Sequence, residues 1–162
     1  MRIAIAIVTA LVLTGSAGAG SRHVQRFTLY TANMHGRDLP VAVRASGAVA
    51  AVGTETQTDT DTTGGQVNRV TLHFAKGTIR LLAPEHFAWK LDVPTCSATA
   101  SGGGTFTITG GTGAYRDATG KGTFTSRGVA IGARSSAGAC LARAQPLANY
   151  VIVTMTGAIS LP

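Results

Sequence analysis

The stretch that most restricts what this chain can become is Thr105 to Thr125, TFTITGGTGAYRDATGKGTFT. Phe106 and Ile108 alternate with Thr105, Thr107 and Thr109 at the two-residue period of a strand with two unlike faces. Gly110, Gly111 and Gly113 break the run, because glycine alone takes positive φ without steric cost. Ala114 to Thr119 suits one helical turn, with Tyr115 folded back as an apolar plug. Gly120 and Gly122 then release the chain into a second alternating strand around Phe124. Two nucleotide-binding motifs fail here. A phosphate-binding loop needs glycine where Tyr115 stands and Ser or Thr where Gly122 follows Lys121. A dinucleotide fingerprint needs a third glycine at Arg116. The stretch reads as a tight strand–turn–strand corner.

The rest of the chain is consistent with an all-β fold. Short alternating runs separated by turn residues recur, and no long helix-period segment stands out. Arg26 to Asn33 reads as the first strand, with Phe27, Leu29, Thr31 and Asn33 on one face, followed by a loop from His35 to Pro40. Val41 to Glu55 supplies one or two more strands. Val67 to Phe74 and Gly77 to Leu82 form a pair, with Val70, Leu72 and Phe74 opposite Arg69, Thr71 and His73. Pro84 to His86 reads as a turn before a strand from Phe87 to Val93. Asn149 to Leu161 is the last strand, with Val151, Val153, Met155 and Ile159 on one side. Closing it against the first would remove both exposed edges and make a barrel. Thr54 to Gly65, TETQTDTDTTGG, reads as a polar connection. Its Asp59-x-Asp61-x-Thr63-Gly64 opens like a calcium loop, but Val70 stands where the bidentate Glu is required.

Residues 1–19 have the form of a signal peptide: Arg2, an apolar run from Ile3 to Leu13, and Ala17-Gly18-Ala19 as a cleavage site. The run is too short to span a bilayer, so the expectation is a secreted, extracellular protein with no membrane span after signal removal. About 143 of the 162 residues then remain, enough for one domain, 23–162, with a real core. Cys96 and Cys140 are the only cysteines. In an exported chain they read as one disulfide closing a loop of about 45 residues. A metal pair or a catalytic thiol is the alternative, and neither cysteine has a neighbouring His or second Cys to support it. The formal charge of +7 comes from basic residues scattered singly, which argues against nucleic acid and for loose attraction to anionic cell-surface polymers.

At the glycine corner a family resemblance appears. ITGGTGAYRDATG resembles the signature of the allene oxide cyclase-like barrels, which are similar to the plant dirigent proteins. LYTANMHGRDLP resembles the family's first strand and loop, with Asn33 and Pro40 seven residues apart as in the plant cyclases. The resemblance implies an eight-stranded antiparallel closed β-barrel of the calycin type with an apolar cavity. It also implies cyclisation or stereochemical control of small hydrophobic molecules, often by trimers. In the plant cyclases a glutamate and an asparagine on the first strand, with a serine and a proline after it, act around the substrate's oxygen. Asn33 matches the asparagine and Pro40 the proline, while Thr31 replaces the glutamate and Leu39 the serine. Without that carboxylate, true allene oxide cyclase activity is not expected.

Other chemistries lack their groups. There is no G-x-S-x-G elbow, and His23, His35, His73 and His86 lack metal-ligand spacing. No metal or cofactor is implied. What remains is confinement of a small hydrophobic molecule in a productive conformer. Thr31, Asn33, Pro40, Arg80, Trp89 and Tyr150 are the candidates to line or gate the cavity. The rival reading is a non-catalytic secreted scaffold, with Phe27, Leu29, Phe106, Tyr115 and Met155 filling the barrel and leaving no void.

Overall fold

In the computed structural model, which describes residues 22–62, 65–141 and 143–162, alternation of apolar and polar residues becomes a sheet that curls until its ends meet. The strands are β1 (His23–Met34), β2 (Arg37–Asp38), β3 (Val41–Gly47), β4 (Ala51–Thr62), β5 (Gly65–Phe74), β6 (Gly77–Asp92), β7 (Ser97–Gly111), β8 (Thr119–Ile131) and β9 (Ala148–Ser160). All neighbours are antiparallel. β1 meets β9 along its whole length, from His23 opposite Ile159 to Met34 opposite Ala148. This seam closes an eight-stranded antiparallel barrel. The two-residue β2 lies on the β3 side of β1, joined to it by a hairpin at His35 and Gly36, both with positive φ (50° and 76°). The signal peptide expected over 1–19 lies outside the described residues.

The glycine corner folds as its sequence implies. Gly110 (φ 126°) and Gly113 (φ 57°) turn the chain into a 3-10 turn, Gly113–Tyr115. Tyr115 is buried and packs edge-on against Phe74 at 6.0 Å. This end of the barrel is filled. Phe27, Leu72, Ile79, Phe106 and Ile159 are buried on the inward face, and Gly122 and Gly157 face each other beside the Phe106 ring. At the β3–β4 turn the buried Gln25 acts as a backbone mimic. Its Oε1 accepts from Val49 N (2.8 Å) and its Nε2 donates to Val49 O (3.1 Å), satisfying a turn that no strand reaches.

Two segments differ from the sequence expectation. Thr54 to Thr62 is not a loop. It continues β4 and pairs with β5 from Gly53↔Phe74 to Thr62↔Gly65. The chain also runs straight through Pro84 and Glu85, so β6 is one strand where a turn was expected. Proline sits inside the closed sheet where the β6–β7 pairing lapses for two residues. The Pro84 carbonyl faces Gly104 on β7, and pairing to β7 passes from Leu82↔Thr107 to Glu85↔Gly104 without it. A Cβ on Gly104 would run into that carbonyl. Gly104→Ala is therefore expected to destabilise the fold by about 2–4 kcal/mol in urea melts. A change under about 0.5 kcal/mol would mean the two strands separate there more easily than their geometry implies.

Cys96 and Cys140 form the disulfide, with Cα atoms 5.3 Å apart. It ties the β6–β7 turn to the long β8–β9 connection, in which Arg134 and Cys140 form an isolated bridge. Arg134 also donates to Pro94 O (2.8 Å) and Gly138 O (2.9 Å). The clasp fixes this irregular connection to the β6–β7 turn.

Candidate functional site

The inward positions change character along the barrel. Towards the end opposite the filled core, β5 replaces Val70 with Asn68 and Gln66, β6 replaces Ala83 with Glu85, and β8 replaces Phe124 with Ser126. β4 contributes Glu55, Gln57 and Asp59. β7 contributes almost nothing, because Gly102 and Gly104 occupy positions in phase with the buried Phe106 and Ile108. The polar residues of the other walls line a cavity of about 280 Å³, and the places beside Gly102 and Gly104 are taken up by Phe87, Pro84 and Phe124. Leu29, Val153 and Met155 supply its apolar portion and Phe87 stands at its rim. The barrel is thus filled at one end and hollow at the other, as an eight-stranded barrel has room to be.

A hydrogen-bonded group anchors the deep wall. Ser126, 1% exposed, donates Oγ–H to Glu85 Oε1 at 2.5 Å. Asn68, 6% exposed, donates from Nδ2 to Glu85 Oε2 at 2.9 Å. The carboxylate fixes the amide's orientation, since the flipped form would set two acceptors against each other. Asn68 Oδ1 is then a buried acceptor with no partner, an uncommon and costly state for a polar atom. Glu55 lies across the same cavity. Burial pushes its carboxyl up to about 7, with the neighbouring Asp59 charge adding to the shift. At the rim Gln57 donates to Asp59 Oδ1 at 2.6 Å.

Of the six residues singled out in the sequence, one lies in this wall. Thr31 faces the cavity from β1. Asn33 is half-buried one step further along the same face, but its groups are spent on the β1–β2 hairpin. Nδ2 donates to Asp38 Oδ1 (2.7 Å), and Oδ1 accepts from Gly36 N (3.1 Å). Pro40 is exposed between β2 and β3. Arg80 and Tyr150 point outward, with Tyr150 beside Val129 and Ala32 on the outer face. Trp89 lines a separate cleft of about 220 Å³ with Leu91, Leu141 and the disulfide, and its ring meets Phe87 edge-on at 5.4 Å. The six do not converge.

Among known family models, curated proteins and solved structures, none matches this chain. The site therefore rests on its own geometry.

Glu55, Asn68, Glu85 and Ser126 were not singled out in the sequence. One signal bears on two of them, Glu55 and Asn68. Gln66 and Asn68 are in phase with Val70, Leu72 and Phe74, and Glu55, Gln57 and Asp59 are in phase with Gly53 further along the same strand. Polar residues in phase with a core face mark either a strand leaving the core or one lining a hollow. Among the described residues no group of three His, Cys, Asp or Glu has metal-holding geometry, and no helix is long and apolar enough to cross a membrane.

Proposed function

We propose that this protein is a secreted barrel that binds a small, largely hydrophobic molecule in its open end and guides that molecule's cyclisation or isomerisation by confinement. The observation that carries the reading is the void itself, walled by apolar Leu29, Val153 and Met155 and by a buried polar group with an unsatisfied acceptor. A hollow of this size with a few convergent polar groups is the usual form of a small-molecule site. The resemblance to the allene oxide cyclase-like and dirigent-like barrels supports the same reading, and the disulfide and apolar leader support export. Glu55 is the wall group suited to proton transfer at neutral pH, since its carboxyl is pushed up to about 7. The filled half of the barrel favours the second reading, a non-catalytic scaffold at the cell surface.

Fluorescence titration with the neutral apolar probe N-phenyl-1-naphthylamine separates the two. Saturable micromolar binding is expected, weakened at least tenfold by Val151→Trp, which plugs the cavity from β9. Binding that ignores the plug, or no binding, favours the scaffold. The enzymatic part has its own test in Thr31→Glu, which returns a carboxylate to the first-strand wall. No allene oxide cyclisation is expected from it, because Asn33 serves the β1–β2 hairpin and Pro40 is exposed; appearance of that activity would show that Thr31 alone separates this barrel from the plant cyclases. The added charge beside Glu55, Asp59 and Glu85 should also lower stability at pH 8 by about 1–2 kcal/mol.

A further inference from the structure

The donors and acceptors of the cavity do not balance. Its described lining includes three carboxylates, Glu55, Asp59 and Glu85, and no Lys, Arg or His. The whole chain has only seven acidic residues against fourteen Lys and Arg, so three of the seven in one hollow is a marked concentration. Three of its neutral donors are engaged by those carboxylates, Ser126 and Asn68 by Glu85 and Gln57 by Asp59, and the others are the Thr31 hydroxyl and the Gln66 amide. Beyond them Asn68, more than nine-tenths buried, lines the cavity, and its Oδ1 lies just beneath the surface with no donor. The wall lacks a donor with positive charge.

The geometry points to a ligand that carries a protonated amine on a small apolar body, the ammonium lodged between the Glu55 and Glu85 carboxylates beside Asn68. This inference rests on the cavity being a ligand site and specifies the chemical class of its guest. An ammonium brings up to three N–H donors, enough for both carboxylates, whereas an alcohol brings one. Charge-assisted bonds of this kind are roughly twice as strong as neutral ones. Leu29, Val153, Met155 and Phe124 receive the hydrocarbon part. A carboxylate-bearing guest would meet three like charges and no counter-ion.

Isothermal titration of the mature protein at pH 8 tests this with three probes of one shape: 2-phenylethylamine, 2-phenylethanol and 3-phenylpropionate. The amine is expected to bind at least tenfold more tightly than the alcohol, and the carboxylate most weakly. Glu55→Gln, close in shape to the native residue, should narrow the amine-to-alcohol ratio at least threefold. An alcohol or carboxylate that binds as tightly as the amine overturns the amine assignment and leaves the cavity reading standing, as does an unchanged ratio in Glu55→Gln. An amine that gives no heat at millimolar concentration also overturns the assignment. Binding of all three that is indifferent to Val151→Trp overturns the cavity reading itself.

Discussion

Replacing Cys96 and Cys140 together by alanine is expected to lower the stability of the barrel by about 4 kcal/mol and its Tm by about 10 °C or more. The free-energy figure follows from the entropy of closing a loop of this length in the unfolded chain, with 44 residues separating the two cysteines. The Tm figure follows from the size scaling of unfolding entropy. The loss should begin locally. The β8–β9 connection has few regular backbone bonds of its own, and the bridge and the Arg134 contacts to Pro94 and Gly138 hold it down. Amides between 133 and 147 are therefore expected to exchange first, ahead of the β1–β9 seam. The single tryptophan gives an independent signal, because Trp89 lines the cleft closed by the disulfide. Its emission should shift to the red on reduction, before the far-ultraviolet signal of the sheet changes. A melt unaltered by the double replacement would show that the connection stays in place by packing alone.

The second large effect is a pH profile. Glu55 has an ordinary carboxyl reference of 4.5 and is raised to about 7 in the fold, first by burial and then by Asp59. Folding therefore takes up a proton between those two values, and the unfolded chain binds fewer protons in that window. Stability from this group is fully present below about pH 4.5, declines as pH rises, and is lost as pH passes through about 7. The full swing is on the order of 3 kcal/mol at 1.36 kcal/mol per unit. Glu55→Gln removes the titrating proton. At pH 8 the variant is expected to be more stable than the parent by about 2–3 kcal/mol, with a flatter profile between pH 5 and 8. Urea midpoints across that range measure it. A variant of equal or lower stability at pH 8 would mean that water reaches Glu55 freely and that the hollow is no more enclosed than the outer surface.

The architecture was legible where inward and outward residues contrast. Val70, Leu72 and Phe74 set against Arg69, Thr71 and His73 identify β5, and Val151, Val153 and Met155 identify β9. The glycine corner was legible because positive φ at Gly110 and Gly113 permits little else. Legibility ended where the hollow begins. Along β4 the inward residues are Glu55, Gln57 and Asp59 and the outward ones are mostly threonines, so no contrast remains and the segment reads as a solvated loop. Glu85 was hidden in another way. Pro84 before it suggests a turn, and only the missing side chain at Gly104 leaves room for the Pro84 carbonyl in a strand. A strand that lines a polar cavity gives up the periodicity that would reveal it. The candidates drawn from the first strand suffered the converse problem. Asn33 has the right face, but its hydrogen-bonding groups serve the β1–β2 hairpin.

The most direct measurement is native mass spectrometry of the protein purified gently from its source, alongside the Val151→Trp variant from the same cells. The expected result is a fraction of the parent carrying one small adduct, released by collision as a cationic, mainly hydrocarbon molecule and missing from the variant. The contrary result would be bare parent protein in every preparation, with a crystal structure in which ordered water alone joins Asn68 Oδ1 to Glu55.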